Sequence, residues 1–133
     1  MKKIDLACII DDDSIHVFGA KRAISLANFC NQVLVFNNGK DAFDRISQIF
    51  ALGKGIPELI LLDINMPVWD GWDFLDEFLK LPESNNVRIF IMTSSVDPVD
   101  RTKAQTYKQV SNFIIKPITP EKLQVALQSE SPR

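Results

Sequence analysis

The chain has 133 residues, of which 46% are hydrophobic and 24% charged, with 15 Lys+Arg against 17 Asp+Glu for a net charge of −2. Such a length fits one domain that buries about two-thirds of its unfolded surface without disulfides or structural metals. It is too short for a receptor, a two-domain enzyme or an appended DNA-binding module, and the lack of a basic excess argues against direct contact with nucleic acid.

The chain begins Met1-Lys2-Lys3-Ile4, like a secretion signal, but Asp5 interrupts the apolar run and Asp11-Asp12-Asp13 ends it. No stretch approaches the ~20 apolar residues of a membrane span, so a cytoplasmic protein without membrane contact is expected. Cys8 and Cys30 share no metal or redox spacing, and Cys8 reads as a reduced, buried thiol.

Short apolar runs alternate with helix-period stretches. Leu6–Ile10 reads as the first strand, followed by a helix with Val17, Ala20, Ile24 and Ala27 on one face. Gln32–Phe36 is the second strand, and Ala42, Ile46, Ile49 and Phe50 mark a helix stopped by Gly53. Leu59–Leu62 leads to Asp63, and a third helix with Phe74, Leu75, Phe78 and Leu81 ends at Pro82. Ile89–Met92 leads to Thr93, and Asp97-Pro98 opens a fourth helix with little apolar face. Asn112–Ile115 leads to Lys116-Pro117, and Thr119-Pro120 opens the last helix. Uninterrupted apolar strands are buried on both faces, which predicts a parallel sheet with helices on both sides. The domain is expected to fill residues 1–133, with its core over about 3–128 and a frayed tail at 129–133.

Ligands of such sheets bind beyond the carboxyl ends of the strands. Those ends carry Asp11-Asp12-Asp13, Asp63, Thr93-Ser94 and Lys116. Carboxylates crowded at one edge repel, and a divalent cation with all-oxygen ligands, Mg²⁺ or Mn²⁺ in its place, resolves the conflict.

Four motifs carry a family resemblance: Ile-Ile-Asp-Asp-Asp at residues 9–13, Leu-Leu-Asp-Ile-Asn-Met-Pro-Val-Trp-Asp-Gly around Asp63, Met-Thr-Ser at 92–94 and Ile-Ile-Lys-Pro at 114–117. In these the chain resembles the receiver domain of bacterial two-component response regulators, of the stand-alone chemotaxis-regulator type. The resemblance implies a doubly wound, flavodoxin-like (βα)5 fold with strand order 2-1-3-4-5.

It also implies roles. Asp63 matches the phosphoacceptor and a metal ligand. Asp12 matches a direct ligand, Asp11 one acting through water, and Asn65 a ligand through its backbone carbonyl. Thr93 and Lys116 match the groups that bind phosphoryl oxygens, with the Ser94 amide as a further donor. A cis bond before Pro117 would aim Lys116. Asn65 and Ser95 would tune attack by water. Phe113 matches the aromatic switch position, turning inward as Thr93 moves and altering the surface of the fourth helix, fifth strand and fifth helix.

The implied partners are a sensor histidine kinase or histidine phosphotransfer protein and a downstream protein target, with a monomer and a phosphorylation-dependent dimer equally compatible. No output domain is expected. The residues before the fifth strand, Tyr107–Ser111, lack the glycine frequent in the family.

Other residues read as structural. Asp13 suits a helix cap, Met66-Pro67 and Gly71 suit loop geometry with glycine allowing positive φ, and Trp69 suits a loop cover or a shield for the site. His16, alone of its kind, reads as neither metal ligand nor phosphohistidine, and Lys21, Arg22 and Lys40 as solvated charges. Two other functions compete: a haloacid-dehalogenase-type phosphatase with Asp11 as nucleophile, and an unphosphorylated scaffold. The first leaves Asp63 unexplained and lacks a late acidic pair; the second normally lacks an acid, Thr or Lys that is present here.

Overall fold

The structure, a computed structural model, describes residues 3–94 and 97–128. The expectations for Ser95 and for the tail at 129–133 fall outside the described residues. The elements run β1 (Ile4–Ile10), α1 (Ser14–Ala27), β2 (Cys30–Phe36), α2 (Gly39–Leu52), β3 (Leu59–Asp63), α3 (Gly71–Phe78), a 3₁₀ turn (Pro82–Asn86), β4 (Arg88–Thr93), α4 (Pro98–Ala104), β5 (Val110–Ile115) and α5 (Pro120–Gln128). All pairings are parallel, in the order β2-β1-β3-β4-β5.

The period-2 alternation of each strand divides its apolar run between two cores. Cys8, Ile10, Ile60, Leu62, Ile89 and Ile91 pack with α2, α3 and α4, while Ala7, Ile9, Leu59, Leu61, Phe90 and Met92 pack with α1 and α5. This is why the central strands are apolar without interruption. Because parallel crossovers are right-handed, helices on both faces require the strand order to reverse beside β1, and the acidic ends of β1 and β3 meet at that switch point.

Caps set where the helices start. Asp13 accepts from the amides of Ile15 and His16, Asn38 from Asp41, and Asp97 from Val99. Asp70 and Asp73 form a reciprocal capping box at the start of α3. Several element bounds differ from expectation. β1 and β5, like β2, begin two residues before their apolar runs, at Ile4 and Val110, so Val110 and Ser111 belong to the strand and not to the turn before it. β2 begins two residues earlier, at Cys30, because Asn28 (φ 53°) turns the chain directly into the ladder. α3 ends at Phe78, short of Leu81, because Pro82 has no amide hydrogen to donate to the Phe78 carbonyl and its ring would clash there.

The turn before β5 closes without glycine: Val110 N donates to Tyr107 O at 3.1 Å, and Tyr107 stacks on Trp72 at 5.7 Å between ring centroids. No described helix is long and apolar enough to cross a membrane.

Candidate phosphoacceptor site

β1 ends in Asp11, and its carboxylate is held by three donors. The Asp13 amide donates to Oδ1 at 2.9 Å. Lys116 Nζ lies 3.1 Å from Oδ2, and His16 Nδ1 bonds the same oxygen. Asp11 is 1% exposed. Burial works to raise its pKa, but the bonds from His16, the Asp13 amide and Lys116 outweigh burial and hold it below the usual carboxylate range.

Asp63, the last residue of β3, is 3% exposed, and its Oδ1 lies 3.2 Å from Lys116 Nζ. Burial first, and then the charge of Asp11, push its carboxyl up to about 6 against the opposing pull of Lys116. Lys116 therefore divides one positive charge between two buried acids. Burial alone would lower its pKa, but those two partners raise it.

The β4–β5 ladder positions Lys116. Its amide donates to Thr93 O at 2.8 Å, and the Lys116–Pro117 peptide is cis. Lys122 Nζ caps the Ile115 and Pro117 carbonyls at 2.8 and 3.0 Å, fastening the loop to α5. Thr93, at the end of β4, is fully buried, and Ser94 after it is exposed.

Asp12 is exposed, and oxygens of Asp11, Asp12 and Asp63 lie within 4.8 Å of one another. Three clustered carboxylates, one of them with its pKa raised by burial and then by the charges of the others, form an all-oxygen donor set suited to a hard divalent cation such as Mg²⁺. Asn65, exposed in the loop after β3, stands two residues beyond Asp63.

Gly71 is required, but for a different reason from the one expected. It does not adopt positive φ. A Cβ there would lie 2.7 Å from the Asp63 carbonyl oxygen and 2.8 Å from Ile64 Cα, and the Gly71 amide donates to Ile64 O at 2.7 Å. Glycine lets the start of α3 fold back onto the strand end that carries Asp63. The positive φ in this loop belongs to Val68, at 68°.

Trp69 covers the start of α2. It packs on Phe43 at 5.5 Å between centroids, and its Cβ would meet a side chain at Gly39 at 3.1 Å. Lys40 is exposed, as a solvated helix charge, and pairs with Asp44 at 2.8 Å while standing 5.7 Å from the Trp69 ring. From sequence, His16 reads as neither metal ligand nor phosphohistidine, and its contact with Asp11 was not foreseen. Its position in the first turn of α1 was the available signal, since helical side chains lean toward the N-terminus and so, here, toward the end of β1.

A buried strand-end aspartate, an acid pair, a hydroxyl and a lysine on this sheet define a receiver domain of two-component signalling. The chain matches the response regulator receiver domain family over residues 7–128 and belongs to it. It is similar to a two-component response regulator from Cytophaga hutchinsonii, at 30% identity, a TM-score of 0.87 and 96% coverage of both chains. It is also similar to the transcriptional regulatory protein HptR of Staphylococcus aureus, at 30% identity over 119 residues, spanning 43% of that protein's length. The probable methanogenesis regulatory protein FilR2 of Methanothrix harundinacea is 24% identical over 115 residues, and the match spans 74% of it.

Proposed function

We propose that this receiver is a phosphorylation-dependent switch in which Asp63 accepts a phosphoryl group from a phosphohistidine of a sensor kinase or phosphotransfer protein. A carboxylate oxygen of Asp63 attacks phosphorus, the P–O bond forms as the P–N bond breaks, and the imidazole leaves with the electron pair. Asp12, Asp63 and the Asn65 carbonyl would hold Mg²⁺ directly, and Asp11 would act through water. When bound, Mg²⁺ neutralises charge on the transferring group.

Lys116 Nζ turns from the acids to a phosphoryl oxygen, and Thr93 donates its hydroxyl to another. The observation that carries this reading is the single lysine charge shared by two buried carboxylates, 3.1 and 3.2 Å away. It supports Asp63 rather than Asp11 as nucleophile, because both oxygens of Asp11 already accept hydrogen bonds.

The signal leaves through α4-β5-α5. Phe113 shares a sheet face with Thr93, two residues back in the same register, and is half-buried beneath Arg101, whose guanidinium carbon lies 4.9 Å from the ring centroid. When Thr93 moves toward the phosphoryl group, Phe113 turns into the space it vacates, and the Arg101 contact breaks. Beside the ring, an apolar groove of about 380 Å³ lined by Phe113, Ile115, Val125 and Ala126 offers the downstream protein a surface.

The test is incubation with Mg²⁺ and acetyl phosphate, followed by mass-spectrometric mapping. Modification at Asp63, abolished by Asp63→Asn, supports the switch. Modification at Asp11 points to phosphatase chemistry, and no modification with no Mg²⁺ binding points to a scaffold.

A further inference from the structure

Asp11 Oδ2 receives two side-chain donors that come from different elements: Lys116 after β5, and His16 from the first turn of α1. The His16 side chain is 8% exposed. Its Nε2 is buried with no hydrogen-bond partner among the described residues, so the ring's polar contact is the one made by Nδ1. An ionised carboxylate only accepts, so Nδ1 carries the hydrogen and donates it.

Lys116 cannot serve Asp11 and an incoming phosphoryl group equally well. Without a second donor, its departure would leave a buried carboxylate oxygen unpaired, and that cost would hold the lysine in place.

We propose that His16 is a positioning residue of the phosphorylation site: it keeps Asp11 oriented and paired, and so releases Lys116 to the phosphoryl group on Asp63. The inference rests on the reading of Asp63 as phosphoacceptor. It involves geometry and donor count, and leaves the bond changes at phosphorus as described above.

The test uses the full chain, with phosphorylation by acetyl phosphate at saturating Mg²⁺ followed by intact-mass spectrometry and folding checked by urea denaturation. His16→Leu slows phosphorylation about tenfold, whereas His16→Asn, whose Nδ2 places a donor near the position of Nδ1, stays within about twofold of the native rate. Should His16→Leu not fold, His16→Met supplies the apolar variant. A folded apolar variant phosphorylated at the native rate overturns the inference. So does an Asn variant as slow as the apolar one, because ring packing rather than the donor would then be at work. A native chain that takes no phosphoryl group on Asp63 overturns the reading of the site and this inference with it, while normal modification that ignores residue 16 overturns the inference alone.

Discussion

Gly71 lies directly on the backbone of Asp63: a methyl group there would stand 2.7 Å from the Asp63 carbonyl oxygen, nearer than real Cβ contacts come. The obstacle is main chain in a fully buried strand, which cannot swing aside as a surface side chain would. Gly71→Ala should therefore cost about 1–3 kcal/mol, the usual penalty of overpacking a close-packed site. Urea denaturation measures this directly, and an unchanged midpoint would show that α3 can shift without strain. Because the displaced backbone carries Asp63, phosphorylation by acetyl phosphate should slow in the same variant.

The opposite sign is expected three residues earlier. Val68 is β-branched, 82% exposed, and held at φ 68°. That region costs a non-glycine residue about 1–3 kcal/mol, and little packing is lost when an exposed side chain is removed. Val68→Gly should raise stability by about 1 kcal/mol, after glycine's greater unfolded-state entropy is subtracted. A lower denaturation midpoint for this variant would mean that the Val68 side chain contributes more than its strain costs.

These two positions show what sequence could and could not reveal. The central strands were legible because apolar runs such as Leu59–Leu62 are buried on both faces, whereas the edge strands β2 and β5 are only partly covered and were legible by their apolar runs alone; the strand ends located Asp11, Asp63, Thr93 and Lys116. Caps were legible where a side chain satisfies its own helix start, as Asp13 and Asp97 do. The role of Gly71 was not, because close approach between α3 and β3 depends on tertiary placement and leaves no periodic trace. The contact of His16 was signalled only by its place in the first turn of α1, because its partner lies five residues back across a change from strand to helix. The early end of α3 was within reach, since Pro82 forbids the bond to Phe78 whatever the hydrophobic stripe suggests.

The acid cluster predicts a crossing of stabilities with Mg²⁺. Asp12 is exposed, and its charge helps to raise the pKa of Asp63. Without metal, Asp12→Ala removes a like charge, and the variant should be at least as stable as the native chain. With Mg²⁺ at 100 times its dissociation constant, the native chain should gain about 2.7 kcal/mol by mass action, and the variant far less. Thermal melts with and without Mg²⁺ read both arms. Equal gains in the two proteins would remove Asp12 from the ligand set.

Tyr107 supplies a pH signature that does not involve Asp11, Asp12 or Asp63. Its hydroxyl donates to Asp76 Oδ1 at 2.8 Å. Burial, then that bond and the Asp76 and Asp70 charges, push the phenol up to about 12. The folded pKa lies above the ordinary value of about 10, so the unfolded chain loses this proton first. The contribution is complete below pH ~10 and is lost as pH rises through about 12. The stability difference between the native chain and Tyr107→Phe should therefore be constant from neutral pH to about 9 and shrink above about 10. A difference that grows over the alkaline range would reverse the assignment.

The contact between Arg101 and Phe113 sets the balance of the proposed switch. The guanidinium lies over the ring, and the inward turn proposed for Phe113 would give that contact up. A partly exposed cation–π pair is worth about 0.5–1 kcal/mol. Arg101→Gln removes this hold on the outward state, so less of the phosphoryl group's binding energy is spent in breaking it. Affinity for a beryllofluoride phosphate mimic, titrated with Mg²⁺ present, should rise about two- to fivefold, the range equivalent to that contact energy. Arg101→Lys, which keeps a cation over the ring, should fall between the native chain and Arg101→Gln. Affinity that falls in Arg101→Gln would place the arginine on the side of the phosphorylated state, with Phe113 turning toward it rather than away.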